Sequence, residues 1–114
     1  MSDSIAELTT RIRDFAAARD WEQFHTPKNL AMALIVEAAE LVEQFQWLTP
    51  GESATMVEGH EGRQAVTDEI ADVAIYLMRL ADVVGVDLGQ AVEAKLATND
   101  DRFPITAPGA GGEM

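Results

Sequence analysis

Apolar residues recur at intervals of three and four along most of this chain, which is the spacing of one face of an α-helix. The pattern predicts four helices, over about residues 4–19, 26–47, 63–84 and 88–99. Three of them begin with typical capping residues, namely Ser4 with Glu7, Thr26 before Pro27, and Asp87 with Gln90. We therefore expect an all-α protein, built as a four-helix bundle.

The segments between the predicted helices lack this periodicity. Asp20 to Thr26 is expected to form a loop or short turn, and residues 49–62 a mobile connection in which His60 is incidental. Residues 105–114, with the sequence ITAPGAGGEM, are expected to form a flexible tail. The predicted organisation is one domain over residues 1–104 followed by this tail.

The second and third helices each carry two carboxylates three residues apart, Glu37 with Glu40 and Glu69 with Asp72. Residues at this spacing lie on one helical face. The second helix is apolar nearly all round, which predicts that it is buried. Unpaired carboxylates there would cost several kcal/mol or become protonated, and Arg79 is the one nearby basic residue. A bound divalent metal is the simplest explanation.

The ligand types favour Mg2+, with Mn2+ as the alternative, because carboxylate oxygens suit hard cations. The chain contains no Cys, and neither His25 nor His60 has the spacing of a zinc or di-iron ligand. Either carboxylate pair alone would more often be a solvated helix face. Two pairs, both within apolar helices, favour the metal site over that alternative.

Composition restricts the partners of this chain. Its 114 residues, 47% of them hydrophobic, are enough for one globular domain with a modest core. A formal net charge of −12 argues against nucleic acid and against anionic membrane surfaces as partners. The N-terminal residues lack a signal-peptide layout, the longest apolar run carries two Glu, and Cys is absent. We therefore expect no transmembrane helix and a cytoplasmic location.

Several aromatic residues are candidates for a nucleotide-base pocket. Trp21 and His25 lie together in the first predicted turn, where they could stack on a base and hydrogen-bond to it. In the alternative, Trp21 and Phe24 fill the edge of the core and His25 is a surface residue. Trp47 ends the second predicted helix, where anchoring in the core is the ordinary role. Tyr76 follows Asp72 by four residues, so its hydroxyl either faces the carboxylates or is bonded within the core.

A polar group near the C-terminus is a candidate phosphate site. Lys95, Asn99 and Arg102 follow one another at near-helical intervals in an otherwise acidic chain. Lys and Arg recognise phosphate oxygens. The same residues also suit a helix C-terminus because of the helix dipole, so this signal alone is weak.

The carboxylates also carry a family resemblance. Glu37-x-x-Glu40, followed after 28 residues by Glu69-x-x-Asp72, resembles the signature of the MazG-like nucleoside triphosphate pyrophosphohydrolases. This all-α superfamily also contains dimeric dUTPases. Four segments resemble its dCTP pyrophosphatase branch: RDWEQFHTPKNLA (19–31), FQW (45–47), DEIADVAIYL (68–77) and K-x-x-x-N-x-x-R-F-P (95–104). The resemblance covers about residues 5–104.

The resemblance implies Mg2+-dependent hydrolysis of a (deoxy)nucleoside triphosphate, dCTP or a related pyrimidine dNTP, to the monophosphate and pyrophosphate, as in house-cleaning of the nucleotide pool. It implies four metal ligands: Glu37, Glu40, Glu69 and Asp72. Either Glu37 or Glu40 would also act as the catalytic base. It implies seven substrate contacts: Trp21, His25, Trp47, Tyr76, Lys95, Asn99 and Arg102. It also implies a homo-oligomer, a dimer or a dimer of dimers, whose pocket is completed by a neighbouring subunit.

One position departs from the dCTP pyrophosphatase pattern. Ile12 stands where the mammalian members have a substrate-contacting His, which leaves the base preference open. Two alternatives stand beside the dCTP interpretation. One is a dUTPase-like or modified-nucleotide hydrolase on the same scaffold, and the other is a non-enzymatic acidic helical interaction protein.

Overall fold

The structure is a computed structural model that describes residues 4–105. Within that range it contains α-helices, one short 3-10 helix and no strand. The elements are α1 (Ile5–Ala18), a 3-10 helix (Glu22–Phe24), α2 (Pro27–Glu43), α3 (Pro50–Met56), α4 (His60–Val83) and α5 (Leu88–Arg102). The all-α prediction is confirmed, whereas the expected number of helices is wrong, because five α-helices are present among the described residues.

The predicted helix starts at the three capping residues are confirmed. The side chains of Ser4, Thr26 and Asp87 each accept a hydrogen bond from the backbone N–H three residues later, at 3.1, 3.2 and 3.0 Å. These bonds satisfy N–H groups that have no partner within the helix. At the C-terminal end of α4, Gly85 has a φ of 76°. Glycine adopts this left-handed conformation at little cost, and it is a common way to end a helix.

The missed helix is α3, which occupies part of the segment expected to be a mobile connection. Thr49 Oγ1 accepts from the Glu52 N–H at 3.1 Å, and Glu52 Oε1 accepts from the Thr49 N–H at 2.9 Å. This is a reciprocal capping box, and Pro50 at the first helical position is preorganised for it. The boundaries move as well, because α2 ends at Glu43 before a turn over residues 44–47, and α4 begins three residues earlier than expected, at His60.

Among the described residues, the extensive helix packing involves α1, α2 and α4. Helix α2 packs along α4, α1 packs against α4 to a lesser extent, and α5 makes only marginal contact with the other helices. Among the described residues the buried apolar side chains are small in number: Ala16, Leu30, Val66 and Ala81. The single chain therefore has a thin core.

The outer face of α2 is exposed, although its sequence predicts a buried helix. Ile35 is 68% exposed, and Met32, Val36 and Val42 are also exposed. The expectation of burial is wrong for this face of the single chain, because described residues 4–105 leave these side chains open to solvent.

The predicted tail and the expected absence of a transmembrane helix can be compared with the structure only over residues 4–105. The predicted tail lies outside them except for Ile105, so the division into a domain and a tail stays a prediction. Within residues 4–105, no helix is both long enough and apolar enough to cross a membrane.

Candidate active site

The four carboxylates predicted to bind metal come from the two helices that pack together most extensively, α2 and α4. Carboxylate oxygens of Glu37, Glu40 and Glu69 lie within 4.8 Å of one another. Asp72 lies close enough for its charge to raise the pKa of both Glu37 and Glu69. The helical spacing of each pair, together with the packing of α2 on α4, produces this carboxylate cluster.

Two oxygens of the carboxylate cluster have no hydrogen-bond partner. Oε2 of Glu37 and Oε2 of Glu69 are shielded from solvent and make no hydrogen bond. A buried polar atom without a partner costs free energy, and a charged one costs more. The folded chain therefore holds unsatisfied negative groups close together, in an arrangement that a cation would relieve.

The pKa values of Glu37 and Glu69 are raised by the same crowding of buried carboxylates. Burial, followed by the close approach of Glu40 and the charges of Glu40, Asp72 and Glu69, raises the pKa of Glu37 to about 7. Burial, followed by the charges of Glu40 and Asp72, also raises the pKa of Glu69. Each shift means that an additional negative charge is disfavoured at this place in the folded protein.

The donor set of the carboxylate cluster fits a hard divalent cation. Its atoms are carboxylate oxygens from two helices, and two of them are buried without a hydrogen bond. Arg79 does not supply the missing positive charge by direct hydrogen bonding, since its guanidinium donates to His25 and to Asp82. The cluster could therefore hold a metal ion of this kind, through Glu37, Glu40 and Glu69.

An aromatic group lies where α1 is followed by the 3-10 helix. The rings of Phe15 and Trp21 meet edge to face, with centroids 5.6 Å apart, and the centroids of Trp21 and His25 are 6.3 Å apart. Trp21 is 43% exposed and His25 is half-buried. The structure thus brings Trp21 and His25 together with part of the indole open to a ligand.

The other predicted aromatic contacts lie on α4 and after α2. Tyr76 is half-buried one turn beyond Asp72 on α4. Trp47 is 86% exposed in the turn after α2, so the alternative of a core anchor is wrong for this residue in the single chain. An indole with this exposure has most of its surface available to a ligand or to another subunit.

The C-terminal polar group lies on α5, with Lys95 and Arg102 exposed and Asn99 partly exposed. The Arg102 guanidinium lies 5.1 Å from the centroid of the Phe103 ring. Helix α5, which carries these three residues, is not among the extensively packed pairs of the described helices.

A polar network beside His25 was not predicted from the sequence. Asp82 accepts two hydrogen bonds from Arg13, at 2.9 and 2.6 Å, and one from Arg79 at 3.1 Å. Arg79 also donates from Nε to His25 Nδ1 at 3.0 Å. The spacing of Arg79 and Asp82 is a readable helical pair. Arg13 lies 69 residues before Asp82, so no local pattern could have indicated the complete network.

Ile12, the position that departs from the dCTP pyrophosphatase pattern, lies in an apolar groove between α1 and α4. The groove has a volume of about 520 Å³. Phe15, the ring that Trp21 contacts, lines it as well. The remaining lining residues are mostly apolar: Leu8, Arg11, Ala71, Ala74, Ile75 and Met78.

Comparisons with known proteins agree with this architecture. The sequence model of the MazG-like family matches residues 32–108. Mouse dCTP pyrophosphatase 1 is 48% identical over 92 residues, which are 81% of this chain and 54% of the mouse protein. The human protein of the same name is 48% identical over 91 residues, which are 80% of this chain and 54% of that protein. The chain therefore spans about half the length of these relatives.

A solved structure gives fuller coverage. A pyrophosphatase from Archaeoglobus fulgidus DSM 4304 is 39% identical, with a TM-score of 0.82 over 91% of this chain and 95% of that chain. The match to the family model covers well over half of the chain, and it includes all four residues of the carboxylate cluster. This chain belongs to the MazG-like family.

Proposed function

We propose that this protein is a nucleoside triphosphate pyrophosphohydrolase that cleaves dCTP, or a related pyrimidine deoxynucleotide, to the monophosphate and pyrophosphate. The observation that carries the proposal is the carboxylate cluster, with its two buried and unbonded oxygens and the raised pKa of Glu37. The relatives named dCTP pyrophosphatase 1 support the choice of reaction and of base.

The chemistry requires a way to bring a triphosphate to an acidic site. A bound Mg2+, or Mn2+ in its place, neutralises phosphate charge and orients the chain of phosphates. Glu37, Glu40 and Glu69, with Asp72 beside them, would hold that cation. A water oxygen forms a bond to the α-phosphorus, and the bond from that phosphorus to the bridging oxygen breaks, so that pyrophosphate leaves.

Proton transfer from the attacking water falls to a carboxylate of α2. Burial, followed by the neighbouring Glu40, raises the pKa of Glu37 to about 7 in the metal-free chain. A group of this pKa can exchange a proton near neutral pH. We assign the role of general base to this pair. Trp21 and Tyr76, with Trp47, are proposed to enclose the base, and the N–H of His25 is proposed to bond to the substrate.

We propose in addition that the protein is a homo-oligomer. The Cα radius of gyration is 17.2 Å, against about 13 Å for a compact domain of this length. The exposed apolar side chains of α2 and the exposed Val92 and Leu96 of α5 need a partner surface. A dimer or a dimer of dimers would cover them, and α5 would then bring Lys95, Asn99 and Arg102 to the phosphates of a neighbouring site.

The oligomer proposal is tested by sedimentation equilibrium of the full chain. The expected mass is a multiple of 12.4 kDa, two or four times the chain. Replacing Leu96 by Glu should reduce the mass towards that of one chain, because a charge would enter an apolar contact. A monomeric wild-type protein at micromolar concentration would contradict the proposal.

A second substrate is favoured by one observation. Ile12 lines the apolar groove between α1 and α4, and an apolar wall accepts a methylated or otherwise less polar base better than a wall with a hydrogen-bonding side chain. A modified pyrimidine nucleotide is therefore the second candidate substrate for the same reaction. Ile12→His should shift the ratio of kcat/KM values towards the unmodified base.

The experiment that tests the function is product analysis over a panel of normal and base-modified triphosphates, with Mg2+ or with EDTA. Mg2+-dependent release of monophosphate and pyrophosphate, with a pyrimidine deoxynucleotide preferred, is the expected result. The same products with a purine preferred would leave the reaction standing and overturn the proposed base. Hydrolysis of no nucleotide, without any rise in melting temperature on addition of Mg2+, would favour the non-enzymatic interaction protein.

We propose that this protein is located in the cytoplasm, in line with the absence of Cys from its sequence.

A further inference from the structure

Arg79 is a buried cation that donates to a histidine. Its residue is 7% exposed, and its Nε–H donates to Nδ1 of His25 at 3.0 Å. A guanidinium has N–H donors and no acceptor, and it stays charged at any physiological pH. Nδ1 of His25 must therefore be the acceptor in this bond, which means that it carries no proton.

The state of the imidazole follows from this bond. With Nδ1 unprotonated, neutral His25 carries its proton on Nε2. We propose that Arg79 is a positioning residue that fixes His25 as the Nε2–H tautomer, so that His25 offers an N–H donor to the nucleotide. The second part of this inference rests on the proposed function, which puts His25 in contact with substrate. The first part concerns the free protein alone.

Asp82 holds Arg79 in place for this role. Its Oδ2 accepts from Nη1 of Arg79 at 3.1 Å and from Nε of Arg13 at 2.9 Å, and its Oδ1 accepts from Nη2 of Arg13 at 2.6 Å. The Asp82 side chain is 15% exposed and that of Arg79 is 8% exposed. A planar guanidinium with bonds on two of its nitrogens has little freedom to rotate, so the direction of its Nε–H is fixed as well.

The surroundings keep His25 neutral. Burial, followed by the charge of Arg79, lowers the pKa of His25 below its ordinary value. Asp82 is the anionic group behind Arg79, and its charge is shared between two guanidinium groups. The ring of Trp21 faces His25 from the neighbouring turn and adds no charge. A neutral imidazole with a fixed donor can recognise an acceptor oxygen or nitrogen of the substrate.

The direct test is a long-range proton–nitrogen NMR correlation spectrum of the full chain labelled with 15N-histidine. The chain has two histidines, and His60→Gln assigns their signals. In the free wild-type protein, Nδ1 of His25 should give the signal of an unprotonated ring nitrogen and Nε2 that of a protonated one. Exposed His60 serves as the internal reference, with averaged signals of both tautomers.

Variants separate positioning from general stability. Arg79→Met should remove the preference for the Nε2–H tautomer and raise the pH at which His25 titrates, and Arg79→Lys, which restores a charged donor, should recover part of both. Arg63→Met is the matched control, since Arg63 is an exposed residue of the same helix. Equal changes in Arg79→Met and Arg63→Met, or no change in either, would overturn the inference. A wild-type spectrum with Nδ1 protonated would also overturn it.

Kinetics connect the tautomer to the substrate. Loss of one directed hydrogen bond should raise KM for dCTP roughly tenfold in Arg79→Met, with kcat much less affected and the lower limb of the pH profile moved upward. An unchanged KM in an active Arg79→Met enzyme would overturn the role in substrate contact. If the spectra are as expected and the wild-type chain hydrolyses no nucleotide, the tautomer assignment stands and the proposed function fails. The two claims can thus be judged separately.

Discussion

Replacing Glu37 by Gln should make the metal-free protein more stable and the Mg2+-loaded protein less so. Two like charges separated by no more than 4.8 Å repel by roughly 3.5 kcal/mol or more at an effective dielectric constant of about 20. Solvent screening at this half-buried position reduces the effect to about 1 kcal/mol. Gln keeps the size of the side chain, removes one charge from the carboxylate cluster and can donate a hydrogen bond to a neighbouring carboxylate.

The expected gain in the metal-free state corresponds to a rise in melting temperature of about 4 °C for a domain of this length. The wild-type protein, by contrast, should gain about 2.7 kcal/mol when Mg2+ is present at a hundred times its dissociation constant. Glu37→Gln should lose most of that second gain because it removes a ligand. The two proteins should therefore exchange rank when Mg2+ is added.

The assay is thermal unfolding followed by circular dichroism at pH 8, with EDTA and with increasing Mg2+, at constant ionic strength and protein concentration. Glu43→Gln is the matched control, because Glu43 is an exposed carboxylate at the end of the same helix. It should leave both curves close to those of the wild-type protein. A lower melting temperature for metal-free Glu37→Gln, or an undiminished response to Mg2+, would refute the argument that the cluster is strained until it binds a cation.

Three further outcomes are expected. The metal-free protein should lose stability as the pH rises from about 4.5 to above 7. The pKa of Glu37 is raised, so over this range the folded state keeps a proton that the unfolded state has released. Mg2+ should reduce this dependence of stability on pH, and a stability that increases over this range in EDTA would contradict the assignment. Asp82→Asn should lower the free energy of unfolding by roughly 3 kcal/mol in urea titrations, since it leaves the buried Arg79 without its anion. The hydrogen bond and the charge of Arg13 lower the pKa of Asp82, so the wild-type protein should lose this contribution only as the pH falls below about 3.8, and a variant as stable as the wild type would exclude the paired network. Trp47→Ala should leave the melting temperature of the metal-free protein nearly unchanged, because Trp47 is almost fully exposed. The same substitution should raise KM for the nucleotide. A large loss of stability with an unchanged KM would place Trp47 in a structural contact instead.

Helix starts were the part of the fold that the sequence specified best. Capping is a local interaction, and the side chains of Ser4, Thr26 and Asp87 bond three residues ahead as their spacing predicts. The missed helix α3 carries the same signal, a Thr before a Pro with a Glu at the third position, at Thr49. The Gly and Ser residues around it are typical of loops, so the composition of this segment predicts a connection and not a helix.

The carboxylate cluster could be predicted because it depends on two local spacings and one helix pairing. Glu37 and Glu40 lie one turn apart on α2, and the packing of α2 on α4 brings the pair Glu69 and Asp72 beside them. The contact between Arg13 and Asp82 could not be predicted in this way, since it depends on how α1 lies across α4. Exposure of Ile35 was not foreseen either, because the sequence of a helix shows that a face must be covered and not which chain covers it.

Hydrolysis of dCTP in water enriched in 18O tests the central claim most directly. The proposed attack on the α-phosphorus predicts that the label enters dCMP, that pyrophosphate contains none, and that both products disappear in EDTA. Glu69→Gln should show the same loss in the presence of Mg2+. Label in pyrophosphate or in free phosphate, or turnover that persists in EDTA, would contradict the account of the carboxylate cluster as a metal-dependent pyrophosphohydrolase site.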